Sequence, residues 1–175
     1  YLKLEIDGVD TYGFGDGNDA YLYYFYNNSG AVYDLEEYTL EYTSGAAGIC
    51  FLKGTPILTD QGEINIENIT SKNSINNKSV NKLVKVSNKD NYVIEVRKNA
   101  LGKNIPSKTT YMTKEHGIFI NGKLVRAKNL VNDDTIVIKE MGKHKVYNVL
   151  LNKYDKMMVN NMIVETLNPK DNPLK

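Results

Sequence analysis

Short runs of β-forming residues, each closed within a few positions by a turn signal, recur along this chain and leave no space for a helix of ordinary length. Tyr1-Leu-Lys-Leu-Glu-Ile6 alternates and meets Asp7-Gly8. Ala20–Tyr26, Ala31–Tyr33 and Glu37–Thr43 continue in the same style. Further on come Thr55–Leu58, Lys82–Val86, Tyr92–Val96, Lys108–Met112, Gly117–Ile120, Lys123–Val125, Thr135–Lys139, Val146–Leu151, Lys156–Val159 and Met162–Val164. Asn121-Gly122 and Asn160-Asn161 are hairpin turns by composition. Nowhere do a dozen residues carry an apolar stripe at helical spacing, and Ala127–Val131 is expected to make one helical turn at most. An all-β chain is expected. The polar stretch Asn73–Asn91 is expected to be a flexible loop or an exposed hairpin.

Charge divides the chain. Residues 1–49 hold nine acids and one base, and residues 50–175 hold 12 acids and 21 bases. Nine of the 13 tyrosines also precede Cys50. Between the two compositions lies Ser44-Gly-Ala-Ala-Gly48, a small-residue linker. We therefore expect a β-rich, Tyr-rich segment over 1–49 and a second domain over 50–175. The lysines of the basic part are scattered among asparagines without aromatic interleaving, which argues against a nucleic-acid partner. No apolar run reaches the length of a membrane span, and no signal peptide is visible. The chain opens on Tyr1, as a piece of a longer protein would. Asp16, Asn18 and Asp19 lack the spacing of a calcium loop, so Gly13–Asn18 is read as a turn.

Cys50 is the single cysteine: a buried apolar residue, a free thiol or a nucleophile. Three segments together suggest the last. One is Cys50-Phe-Leu-Lys-Gly-Thr-Pro-Ile57, which opens the second domain just after the linker. Another is Thr113-Lys-Glu-His116, between two expected strands. The third runs from Val146-Tyr-Asn-Val149 through Tyr154-Asp155 to Val164-Glu-Thr166. Each alone has an ordinary reading: a core cysteine, a hydrogen-bonded structural histidine, an aspartate at a tight turn. His116 and His144 with one cysteine lack zinc-site spacing, so no metal is implied, and no organic cofactor either.

In this order the three segments resemble the blocks of the Hint domain, the fold shared by inteins, hedgehog autoprocessing domains and bacterial intein-like domains. The likeness covers Cys50 to about Thr166. It implies an all-β fold with pseudo-twofold β-hairpins, preceded here by the β-rich N-terminal segment. It also implies a self-acting, single-turnover chemistry in which the Cys50 sulfur adds to the Ile49 carbonyl and the Cys50 amine leaves, converting an amide to a thioester. His116 would polarise the amide and protonate the departing nitrogen, a task that suits a group titrating near neutrality. Thr113 would hold the carbonyl oxygen or orient the histidine. The wording of Lys103-Asn-Ile-Pro106 and of Asp155–Leu167 further resembles Hint domains of giant DNA virus proteins, which implies a virion or host-cytoplasm location.

The departures from the family pattern narrow the expectation. The His-Asn pair that completes splicing falls on Glu165 and Thr166, the final block's histidine on Asp155 and its usual aspartate on Asn148. Thr166 cannot form a succinimide, so no splicing is expected. Cys50 and Thr166 lie 116 positions apart, which leaves no room for an endonuclease insert. N-terminal cleavage at Ile49–Cys50 is expected instead. The chain's own N-terminal segment is then the substrate, and water or a small thiol the acceptor. Asp155 is the carboxylate that could activate the water, and sterol transfer is not expected. The β-branched Ile49 crowds the carbonyl and slows hydrolysis. Two rivals stand beside this reading: a catalytically silent Hint domain serving as a structural or binding module, and a thiol protease acting in trans.

Overall fold

The computed structural model describes residues 2–6, 9–13 and 48–171. The chain divides into two compact units, Tyr1–Leu40 and Glu41–Leu174. In the first, β1 (Leu2–Ile6) and β2 (Val9–Gly13) pair antiparallel, with Leu2 opposite Gly13 and Ile6 opposite Val9. The strands expected over Ala20–Tyr26, Ala31–Tyr33 and Glu37–Thr43 lie outside the described residues, as do the loop to Asn18 beyond Gly13 and the linker before Gly48.

The second unit begins with β3 (Phe51–Leu52), β4 (Pro56–Thr59), β5 (Gly62–Asn65), β6 (Ser74–Ile75), β7 (Lys78–Ser87) and β8 (Tyr92–Val96). There follow β9 (Thr110–Met112), β10 (Gly117–Ile120), β11 (Lys123–Arg126), β12 (Ile136–Glu140), β13 (Lys145–Leu151), β14 (Lys156–Val159) and β15 (Met162–Glu165). Single turns of 3₁₀ helix occupy Ile66–Asn68, Ala127–Leu130 and Pro169–Asp171, and no α-helix occurs among the described residues. One sheet runs β11-β10-β15-β14-β4-β5 and the other β12-β8-β9-β3-β13-β7-β6. All the strand pairings are antiparallel; one parallel bridge, Leu150 to Leu167, lies outside them. The fold is all-β, as expected.

Sequence pattern and burial agree strand by strand. Along β14, Lys156 and Met158 face out while Met157 and Val159 face in, the period-two pattern of a sheet wetted on one side. In β13 the six residues after Lys145 are all buried, as befits a strand held between β3 and β7. Hairpins turn where two successive residues take positive φ: Asn76-Asn77 at 51° and 59°, Asn121-Gly122 at 49° and 79°, Asn160-Asn161 at 47° and 66°. Asparagine tolerates this left-handed backbone better than other side chains, and two-residue hairpin loops require it.

Asn76 and Asn77 therefore serve turn geometry, and of the two expectations for this stretch, flexible loop or exposed hairpin, it is the hairpin that forms. Residues 74–87 form the β6–β7 hairpin, and β7 sends Val80, Val84 and Val86 inward while its lysines face water. A large core gathers Phe51, Ile57, Ile66, Met112, Ile118, Met157 and Val164. A smaller one gathers Cys50, Val84, Val86, Val146, Leu150 and Leu167.

Candidate active site around Ile49 and Cys50

Three strands converge on the segment Gly48-Ile-Cys50. Phe51 of β3 pairs with Met112 of β9 on one side and with Tyr147 of β13 on the other. This brings the turn after β9, which carries Thr113 and His116, to one flank of Cys50. It brings Asn148, the residue after Tyr147, to the other.

The Thr113 hydroxyl accepts the Cys50 N–H at 2.8 Å and donates to the Gly48 carbonyl at 2.9 Å. The Cys50 carbonyl lies 3.3 Å from the same hydroxyl and accepts the Thr113 N–H at 2.9 Å. Thr113 therefore grips the amide on its nitrogen side. The Ile49 carbonyl is held by a different residue: the Asn148 side-chain amide donates to it. The contact expected of Thr113 with that oxygen thus falls to Asn148. Its partner atom, Asn148 Oδ1, accepts the Val149 N–H at 2.7 Å, which fixes the side chain with its donor toward Ile49. Sequence reasoning registered Asn148 only as a missing aspartate. The signal available was its position beside Tyr147, but its aim depends on how β13 registers against β3.

Cys50 and His116 are both buried. Burial pushes the thiol pKa up to about 12. The same cause draws the imidazole down to about 3, outweighing the backbones of Glu165 and Cys50, which favour its charged form; the Arg126 charge acts in the same direction as burial. At neutral pH the site rests as a neutral thiol beside a neutral imidazole. Phe51 stacks at a tilt on the histidine, with ring centroids 4.1 Å apart. Neither ring nitrogen has a well-formed hydrogen bond or a side-chain partner, an uncommon state for buried polar atoms; the Glu165 and Cys50 backbones are the polar groups beside the ring. The His116 main chain is well held: its N–H donates to the Thr113 carbonyl at 3.1 Å and its carbonyl accepts the Ala127 N–H at 2.9 Å.

The remaining residues singled out from sequence sit elsewhere. The Asp155 carboxylate pairs with Lys78 and makes no hydrogen bond to Cys50, Thr113 or His116. Burial pushes its pKa up, but Lys78 and the Lys156 backbone and charge outweigh this and hold it below the usual carboxylate range. Thr166 is buried and closed back on the Asp155 main chain: its Oγ1 accepts the Asp155 N–H at 2.9 Å, and its own N–H donates to the Asp155 carbonyl at 2.9 Å. The next residue, Leu167, donates its N–H to the Val149 carbonyl at 3.1 Å and packs in the small core with Cys50. Glu165 is buried near His116, and its carboxylate accepts from the Gly117 N–H at 2.9 Å, from Arg126 and from the Tyr154 hydroxyl at 3.1 Å. Sequence reasoning did not find the parts of Gly117, Arg126, Tyr154 and Leu167, because each acts through a partner distant in the chain.

The profile of the Hint domain family matches residues 49–171. Among solved structures, a DnaB intein from Synechocystis is 14% identical with a TM-score of 0.49, over 69% of this chain and 99% of that one. A bacterial intein-like domain from Clostridium thermocellum is 19% identical with a TM-score of 0.49, over 67% of this chain and 98% of that one. The mini-intein variant M86 of the Ssp DnaB intein is 14% identical with a TM-score of 0.48, over 68% and 95%. No curated protein matches.

Proposed function

This chain belongs to the Hint domain family, whose fold supports autoprocessing, and from that premise we propose that it cleaves itself at Ile49–Cys50 through an N–S acyl shift, without splicing. The observation that carries the reading is the grip on this one peptide bond: Asn148 donates to its carbonyl oxygen while Thr113 accepts from its N–H.

The shift is an isomerisation. Cys50 Sγ adds to the Ile49 carbonyl carbon, and charge develops on the carbonyl oxygen, where the Asn148 donor already stands. A preorganised donor at that place lowers the barrier, because it is worth more as the charge grows. The C–N bond then breaks. The proton lost by the thiol is matched by the one gained by the leaving Cys50 nitrogen, and His116, buried beside the Cys50 backbone, is the group we assign to carry it. The products are an Ile49 thioester and a free Cys50 amine. Asp155, tied to Lys78, supports no water activation in its resting place, so a small external thiol is expected to outrun water as acceptor.

Two observations support the absence of splicing. Thr166 has no side-chain amide to cyclise. The bond to Leu167 also leads straight into the small core, so the chain beyond the final block is part of the fold.

The test is intact mass of wild type beside Cys50→Ala, with and without hydroxylamine or dithiothreitol. We expect the wild type to split between Ile49 and Cys50, faster with the added nucleophile, and the variant to stay whole. The sealed, neutral thiol and imidazole favour one second reading, a silent Hint domain serving as a structural module. Full mass in both proteins under every condition would establish it at the expense of the first.

A further inference from the structure

A proton carrier is ordinarily aimed by a hydrogen bond to the ring nitrogen that does not react. No side chain supplies such a bond to His116; the polar groups beside its ring are the backbones of Glu165 and Cys50. Its aim comes from those backbones, from the Phe51 ring on one face and from its own main chain. The main chain is clamped on both sides of the residue by a single ion pair. Arg126 Nη1 donates to the carbonyl of Glu115, the residue before His116, at 2.8 Å. Glu165 Oε1 accepts the N–H of Gly117, the residue after it, at 2.9 Å. Arg126 and Glu165 bond to each other, and the Tyr154 hydroxyl holds the second carboxylate oxygen at 3.1 Å. The fit is close. A Cβ at Gly117 would stand 2.6 Å from Glu165 Oε1 and 2.4 Å from Leu124 Cδ1, so only glycine lets the carboxylate reach the backbone here.

We propose that Glu165, with Arg126, is the positioning residue for His116, acting through the backbone on either side of the imidazole rather than through the ring. The assignment rests on His116 being the proton carrier of the acyl shift. It gives Glu165 a use in the N-terminal step at the position where a splicing relative has a C-terminal histidine.

The test compares Glu165→Gln and Glu165→Ala. Glutamine keeps an Oε1 acceptor for the Gly117 N–H but removes the charge that pairs with Arg126; alanine removes both. Hydroxylamine-induced cleavage is expected to fall in the order wild type, glutamine, alanine, by up to about a hundredfold for a displaced reacting group, with a changed pH profile. The second readout is the His116 ring ¹⁵N spectrum in a Cys50→Ala background, where no cleavage occurs. We expect Glu165→Gln to move or broaden the ring signals and to change the pH at which they titrate. Arg126→Lys, which keeps the charge and loses the fork, carries the same test if Glu165→Gln melts.

Unchanged ring signals and titration would overturn the proposal even if cleavage fell, because Glu165 would then act elsewhere. Shifted ring signals in a protein whose wild type never cleaves would uphold the positioning and remove the self-processing reading instead.

Discussion

Asn148 is the residue on which the proposed chemistry turns, and its role is that of a donor. Asn148→Asp keeps size and shape, and keeps the acceptor that the Val149 N–H uses at 2.7 Å, but sets a carboxylate against the Ile49 carbonyl. We expect hydroxylamine-induced cleavage to slow by about 10²–10³, the usual effect of losing one oxyanion donor. Rates from timed intact-mass samples check this. The direction is informative, because aspartate is the usual family residue there: an Asn148→Asp protein that cleaves as fast as wild type would show that the donor is not used. Thr113 is read differently. Its hydroxyl both accepts the Cys50 N–H and donates to Gly48, so it fixes the conformation of Gly48–Cys50 and, in the proposed reaction, leaves the oxyanion to Asn148.

Among the elements, β13 does most to assemble the site, since it pairs with β3 and β7 and its residues Val149 and Leu150 receive the chain again at Leu167. Leu167→Ala is expected to cost about 2–5 kcal/mol, the range for emptying a buried leucine site, measured by urea unfolding. In the still-folded protein it should speed alkylation of Cys50, its neighbour in the small core. Strands made of β-forming residues closed by turn signals were legible in the sequence: β8, β10 and β14 begin and end where those runs do. Strand β5, Gly62–Asn65, was not, because a glycine and one isoleucine form a strand only when β4 lies alongside to pair with them. The Cys50–Thr113–His116 group was likewise legible, since each member stands in a short local motif. The aim of Asn148 at Ile49 was not, because those residues are 99 positions apart and meet only through the β3–β13 register. Asp155 read as a site residue by alignment of blocks, but Lys78 on β7 claims its carboxylate, which no local pattern announces.

For the whole molecule, the buried thiol and imidazole set a pH window for stability. The His116 pKa falls from 6.5 to about 3 on folding, so below pH 6.5 the unfolded chain binds a proton that the folded one refuses. Stability is therefore lost as pH falls from 6.5 toward 3, at no more than about 1.4 kcal/mol per unit from this group. Asp155, held low mainly by Lys78, adds to the same limb as the unfolded carboxylate takes up its proton. The Cys50 thiol rises from 9.0 to about 12, so above pH 9 the unfolded thiol ionises while the folded one does not, and stability falls again toward 12. Urea unfolding across pH should give a plateau near pH 7–9, with Cys50→Ala flattening the first part of the alkaline limb. The sealed thiol has one more consequence. A single-turnover chain cannot replace its nucleophile, and a cysteine turned to sulfinic acid by an oxidant is spent for good. Oxidation follows thiolate character and exposure, and Cys50 offers neither, being 2% exposed. The packing that would slow the proposed reaction would also give it a long shelf life: a chain that meets peroxide while it waits still holds its thiol intact.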